Sequence, residues 1–342
     1  MQNIIHTELD PFLETVWLLF VSDKLEQTKQ EMLSSLTEHG LDATDFYEKH
    51  MKIFERYVRT FEKHRVPSAQ SDFFFAQADD DFFLILLALL CENRDEIPRL
   101  SQFSDDDINA EILTIYRELF APDSPAEKAQ TLSDIVAFWD CTALSEATKW
   151  KLMKIMQSPG AHLARLMELV KNNRIAFDKA YNEIKGPLKR LISLYQKMVD
   201  GRQDELFCNL ADSLPQPCSV YPSLALALSQ LVVSGSCYYG LLTPFLPRSA
   251  DTPFETENLL LCLKALSDNS KLAVMRSLKH SPKYNMEIAQ ELGLTAATMS
   301  HHLGVLLTCG FVGVTKQGNR IYYHLQTDAI RKFLNALEQT LL

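Results

Sequence analysis

The chain has 342 residues, of which 46% are hydrophobic and 23% charged, a balance that belongs to folded globular proteins and excludes intrinsic disorder. At about 100 to 200 residues per domain, this length calls for two or three domains. Eleven glycines are few for a doubly wound sheet, and seven cysteines without a CxxC pair exclude a disulfide framework, so a mostly helical cytoplasmic protein with reduced thiols is expected.

The net charge of −10 argues against nucleic acid if taken whole. Its distribution argues the other way. Residues 255–342 hold nine Lys/Arg against seven Asp/Glu, a net of +2 that leaves −12 for residues 1–254.

Near the start, Glu8, Asp10 and Glu14 interrupt the apolar residues, so no secretory signal is expected. Tyr47, His50, Phe54, Tyr57 and Phe61 recur at three and four residues, which predicts a helix over Asp45 to Lys63 that ends at Val66-Pro67. Phe73, Phe74, Phe75, Phe82 and Phe83, with Trp17, Trp139 and Trp150, read as core or as the lining of a ligand pocket. The apolar run Phe82 to Cys91 is ten residues, too short for a membrane span of about 20. Asp79-Asp80-Asp81 and Asp105-Asp106-Asp107 read as solvated helix starts rather than metal loops.

Ser124-Pro125-Ala126-Glu127 is a capping box that predicts a helix to about Asp140. Leu163, Leu166, Val170, Phe177 and Ile184 predict one long helix from Ala161 to Lys185, closed by Gly186-Pro187. Between Asp212 and Arg248 no residue is charged, but prolines and serines dilute the run, so it reads as buried core or ligand lining rather than a membrane span. Cys208, Cys218 and Cys237 fall in or near it with no zinc spacing. Pro244 to Pro247 and Asp251-Thr252-Pro253 form the best linker, which places a domain boundary near residue 254.

From Glu255 the elements become short: helix, helix, helix-turn-helix, hairpin, helix. Leu259, Leu260, Leu263 and Leu266 make the first apolar face, and Ser267-Asp268 caps the second helix. Met286 to Leu292 is stopped by Gly293, and Thr295 can cap the next helix, Ala296 to Thr308. That helix turns Met299, Leu303, Leu306 and Leu307 inward and carries Ala297, Thr298, Ser300, His301 and His302 on or near its opposite face. Short side chains at its start let a backbone sit deep in a major groove. Phe311 to Thr315 and Arg320 to Leu325 pair around Lys316-Gln317-Gly318-Asn319, whose basic residues Lys316 and Arg320 suit phosphates or a minor groove. Adjacent on a helix, His301 and His302 point about 100° apart and cannot chelate one ion together. Cys262 and Cys309 read as small buried thiols.

Leu263-Lys-Ala-Leu-Ser-Asp268, Ile288-Ala-Gln-Glu-Leu-Gly-Leu294, Thr298-Met-Ser-His-His-Leu303 and Gly318-Asn-Arg-Ile-Tyr-Tyr323, in this order, resemble the motifs of ArsR-family winged helix-turn-helix regulators. The resemblance implies a homodimer paired through the first and last helices, Glu255 to Leu266 and Thr327 to Leu342, that reads a palindrome in double-stranded DNA. It carries base contacts onto Ala297, Ser300 and His301, phosphate contacts onto Thr295, Thr298 and His302, and wing contacts onto Lys316, Gln317, Asn319 and Arg320. The family's metal-binding Cys-x-Cys falls on Tyr284, Asn285 and Met286, and the last helix has Asp328 without a histidine, so those metal sites are absent and no cofactor is expected.

The expected fold class is therefore mostly α: a helical N-terminal domain, residues 1–254, followed by a winged helix-turn-helix domain, residues 255–342, with a small β-hairpin wing. No nucleophile elbow, phosphate loop or HExxH occurs, so no enzyme is expected. The N-terminal domain reads either as the sensor of a small-molecule effector or partner, or as a protein-interaction or dimerisation module. Its net charge of −12 leads to the expectation that it projects away from DNA and acts only through the linker or the dimer interface.

Overall fold

A computed structural model describes residues 3–342 except 39–40, 77, 93–103, 121–131, 141, 143, 213, 215–216, 234–235, 247–255, 295 and 318–319. The N-terminal part runs β1 (Ile4–Ile5), α1 (Pro11–Ser22), α2 (Leu25–Glu38), α3 (Ala43–Phe46), α4 (Lys52–His64), α5 (Ala69–Phe74), α6 (Asp80–Glu92), α7 (Asp105–Phe120) and α8 (Leu132–Asp140). It continues through α9 (Glu146–Gln157), α10 (Pro159–Asn172), α11 (Arg174–Val199), α12 (Glu205–Asp212), β2 (Ser219–Ser223), β3 (Gln230–Val233) and β4 (Ser236–Gly240). One buried apolar cluster joins these elements, from Leu9 to Leu242. The expected capping box at Ser124 and the boundary near residue 254 fall outside the described residues.

Most helices form where the periodicity places them. Phe54, Tyr57 and Phe61 are buried on one face of α4, while a π turn over Tyr47–Met51 separates α4 from α3 and leaves Tyr47 and His50 half-buried. The run Phe82 to Cys91 is buried in α6, and among the described residues no helix is long and apolar enough to cross a membrane. Asp79 accepts from Phe82 N at 2.9 Å, and the three aspartates 105–107 occupy the first turn of α7. Trp139 is buried as core; Trp150 is 57% exposed, with Lys154 Nζ 5.3 Å from its ring centre.

Two features differ from the sequence-based expectation. The helix expected over Ala161 to Lys185 is two helices, broken at Asn173. This fully buried amide donates to Leu169 O at 2.9 Å and accepts from Val66 N at 2.8 Å, so its side chain competes with the helical backbone pattern. The second helix, α11, then runs through Gly186-Pro187 to Val199. An interior proline removes a hydrogen bond to the residue four before it, here Glu183, which lies on the exposed face. The opposite face buries Ala180, Ile184, Leu188, Leu191 and Tyr195, and α11 lies along α4 and α1. Burial of these side chains offsets the lost bond.

The second difference is a sheet within the uncharged stretch, which is buried as core but extended rather than helical. Strands order β1-β2-β4-β3, with β1, β2 and β4 parallel and β3 antiparallel to β4. The loop between β2 and β3 passes so close to β4 that a Cβ at Gly240 would lie 2.3 Å from the Ala227 carbonyl oxygen; no side chain fits there. Cys218, just before β2, and Cys237 in β4 are buried with their sulfurs 3.6 Å apart.

Buried acids tie helices to the sheet. Glu14 of α1, only 1% exposed, accepts from Tyr57 Oη of α4 at 2.9 Å, from Ser223 Oγ of β2 at 2.5 Å and from Ala225 N at 3.2 Å. Burial pushes its carboxyl up to about 7, against the hydrogen bonds from Ser223, Tyr57 and Ala225. Asp204 accepts from Tyr239 Oη at 2.9 Å and Gln230 Nε2 at 3.0 Å, and caps α12 through Phe207 N at 3.2 Å.

The C-terminal part comprises α13 (Thr256–Ser267), α14 (Asn269–Ser277), β5 (Lys283–Tyr284), α15 (Asn285–Leu292), α16 (Ala296–Thr308), β6 (Val312–Gln317), β7 (Arg320–Leu325) and α17 (Thr327–Leu341). It has its own buried cluster, with Leu259, Val274, Ile288, Met299, Leu303, Leu306, Phe311 and Phe333 at its centre. The mostly helical architecture with a small antiparallel wing is the fold class expected from the sequence.

Candidate nucleic-acid interface

Asp268 starts α14 by accepting from Lys271 N at 2.9 Å. Burial raises its pKa, but that hydrogen bond and the charges of Lys271 and His302 outweigh it, and the carboxyl is held below its ordinary value. Helix α15 ends as its sequence dictates: Gly293 adopts φ 67°, and Leu294 N closes the turn on Ala289 O at 2.9 Å. This turn sends the chain into α16.

Helix α16 buries Met299, Leu303, Val305 and Leu306 against α14 and α15 and leaves Thr298 and Ser300 exposed. Leu307 is only half-buried. Asn285, at the start of α15, donates from Nδ2 to Ser300 Oγ at 2.6 Å. His302 is half-buried, and its charge helps to hold the Asp268 carboxyl below its ordinary value. Ala297 and His301 lie on α16, and their side chains are outside the description, as is the whole of Thr295.

The wing is longer than expected and has a third strand. Pairing runs from Val312↔Leu325 to Gln317↔Arg320, so only Gly318 and Asn319 separate the strands, and both fall outside the described residues. Lys316 and Gln317 end β6, and Arg320 opens β7; their backbones flank the tip. Strand β5, not anticipated from two residues of sequence, pairs Lys283↔Tyr323 and Tyr284↔Tyr322. Lys283 Nζ also meets Glu291 at 2.5 Å and Ser277 Oγ at 3.1 Å, which ties the wing to α15 and α14.

The apolar face expected on α13 divides. Leu259, Leu261, Cys262 and Ala265 are buried, whereas Leu260 is 54% and Leu263 36% exposed. Helix α17 packs against α13 and exposes Leu334 at 54%. Cys262 and Cys309 are buried, the Cys262 thiol 3.9 Å from the Cys309 carbonyl oxygen. Among the described residues, no group of three or more His, Cys, Asp or Glu could hold a metal ion.

The N-terminal part also reaches this region, by a route absent from the sequence reading. Helix α12 packs against β6, and Met286 of α15 packs against the N-terminal core. The linker and dimer interface are therefore not its only routes to the wing and the helix-turn-helix.

The family model for bacterial regulatory proteins of the arsR family matches residues 268–314, from the cap of α14 into β6. The HTH-type transcriptional regulator CmtR of Mycobacterium tuberculosis is 32% identical over 79 residues, 23% of this chain and 67% of that protein. The cadmium resistance transcriptional regulatory protein CadC of Lactococcus lactis is 33% identical over 86 residues, 25% of this chain and 70% of that protein. The transcriptional repressor SdpR of Bacillus subtilis is 28% identical over 72 residues, 21% and 80% respectively.

Proposed function

The chain belongs to the ArsR family of bacterial regulatory proteins, which are transcriptional regulators and not enzymes, and on that premise we propose that it reads a palindromic operator as a homodimer under the control of residues 1–254. The observation that carries the reading is the exposed polar face of α16, Thr298 and Ser300, on a head whose flanking helices α13 and α17 leave Leu260, Leu263 and Leu334 uncovered.

Exposed leucines on two packed helices favour self-association, since burial returns about 25 cal/mol for each Å² of apolar surface. A two-fold axis there presents two copies of α16 to successive major grooves. In this reading Ala297, Ser300 and His301 meet base edges, and Thr295, Thr298 and His302 meet phosphates. Lys316, Gln317, Asn319 and Arg320 follow the backbone beside the wing. Residues 1–254 act as a helical sensor or interaction domain, and residues 255–342 as the dimerising head.

Control follows from contact. A signal bound more tightly in one conformation of the N-terminal region biases the head through α12 against β6 and through Met286. The test is a titration of an operator, selected from random duplexes by the full chain, with the full chain and with a fragment beginning at Phe254. Each is measured with and without a cell extract that releases the full chain. The fragment is expected to bind the same operator and to ignore the extract. Equal release of the fragment would place sensing in residues 255–342, leaving residues 1–254 as a protein-interaction or dimerisation module.

A further inference from the structure

We infer that Asn285 is a positioning residue that sets the hydrogen-bond polarity of Ser300, so that Ser300 reads a base presenting an acceptor in the major groove. The inference rests on the recognition-helix reading above and adds a residue outside α16 to it.

A serine hydroxyl has one proton to donate and two lone pairs to accept. Asn285 Nδ2 donates to Ser300 Oγ at 2.6 Å, which uses a lone pair and leaves the hydroxyl proton for another partner. Among the described residues Asn285 is the hydrogen-bond partner of Ser300, and Ser300 is exposed on α16. The proton is therefore left for a group that α16 meets.

Asn285 comes from a well-anchored place. It follows Tyr284, which is paired with Tyr322 in the wing sheet, and it opens α15, whose Glu291 is held by Lys283 of the adjoining strand. An amide held this way limits the rotation of the Ser300 hydroxyl before DNA arrives, and so lowers the entropy lost on contact. In the major groove, guanine N7 and O6, adenine N7 and thymine O4 accept, whereas cytosine N4 and adenine N6 donate. A hydroxyl already accepting from Asn285 donates to the first set.

Replacing Asn285 by aspartate reverses the polarity. A carboxylate only accepts, so it takes the Ser300 proton and leaves oxygen lone pairs facing the groove. The experiment is operator selection from a random duplex pool with the full chain as wild type, Asn285→Asp, Asn285→Ala, Ser300→Ala and Asn285→Asp/Ser300→Ala, with thermal unfolding of each as a check on folding.

Ser300→Ala is expected to lower affinity for the wild-type operator about 5- to 150-fold and to flatten preference at one symmetric pair of positions. Asn285→Asp is expected to turn that same pair toward cytosine, the base whose major-groove edge presents a donor and no acceptor. In the Ser300→Ala background the aspartate changes no base preference. If Asn285→Asp keeps the wild-type preference, the inference is overturned. Should that variant fail to fold, Asn285→Ala decides: a broadened preference at the pair supports the inference and an unchanged one overturns it. A purely structural Asn285 would weaken all sequences equally. If Ser300→Ala itself leaves the selected sequence unchanged, the recognition-helix reading fails first, and the inference falls with it.

Discussion

The N-terminal region and the C-terminal head differ in where the groups that matter most to each of them lie. In the N-terminal region Glu14, Asn173 and Asp204 are buried and bonded across elements, so the sheet and the helices around it complete one another. In the head, Thr298 and Ser300 stand exposed, and so do Leu260, Leu263 and Leu334. The first set of groups ties distant elements of one core together; the second lies on the surface of the head.

The largest break in this contrast is expected at Glu14. Glu14→Ala leaves the Tyr57 and Ser223 hydroxyls and the Ala225 amide without their acceptor, at a cost of about 3 to 5 kcal/mol. Its pH dependence has a definite sign. The folded carboxyl titrates at about 7 and the unfolded one near 4.5, so the folded state holds a proton that the unfolded state releases between them. The stabilisation is complete below the unfolded value and falls by about 3 kcal/mol as pH rises through about 7. Urea unfolding at about pH 5 and about pH 8 measures it, and Glu14→Gln should flatten the dependence. A wild-type midpoint in Glu14→Ala would show that these bonds add no stability.

The opposite manipulation addresses the exposed leucines. Leu260→Lys with Leu334→Lys should leave the folded monomer intact, because both side chains are 54% exposed, while abolishing self-association. Loss of bivalent binding should cost about 100-fold in operator affinity. Sedimentation and operator titration check both, and a dimer that persists in the double variant would remove α13 and α17 from the interface.

Two glycines give the smallest and most local comparison. Gly293→Ala meets no atom within 4 Å, so only the φ of 67° opposes it, about 1 kcal/mol. Gly240→Ala puts a carbon 2.3 Å from a backbone oxygen, and the sheet must move to admit it. Thermal unfolding should rank Gly240→Ala well below Gly293→Ala. Equal melting temperatures would mean that the β2–β3 loop yields as easily as open solvent.

Sequence by itself determined the head. Its helices are short, their signals are local, and each acts within a few residues: Asp268 at a cap, Gly293 at a left-handed turn, Met299, Leu303 and Leu306 on one side of α16. The order of these signals was enough to specify a winged helix-turn-helix. Tertiary structure decided what depended on distant partners. Asn173 breaks a periodic helix because Val66 lies beside it, and Pro187 stays within α11 because the opposite face is buried against α4. The sheet forms because β2 and β4, separated by β3 in the chain, pair side by side, with the β2–β3 loop lying against Gly240. Leu260 and Leu263 carry the same apolar letters as Leu259, and only the packing of α13 against its neighbours turned them outward. Asn285 and Ser300 are fifteen residues apart, and no local pattern marks the bond between them. Local free energies set each element, whereas the pairing of faces depends on which surfaces the folded chain brings together.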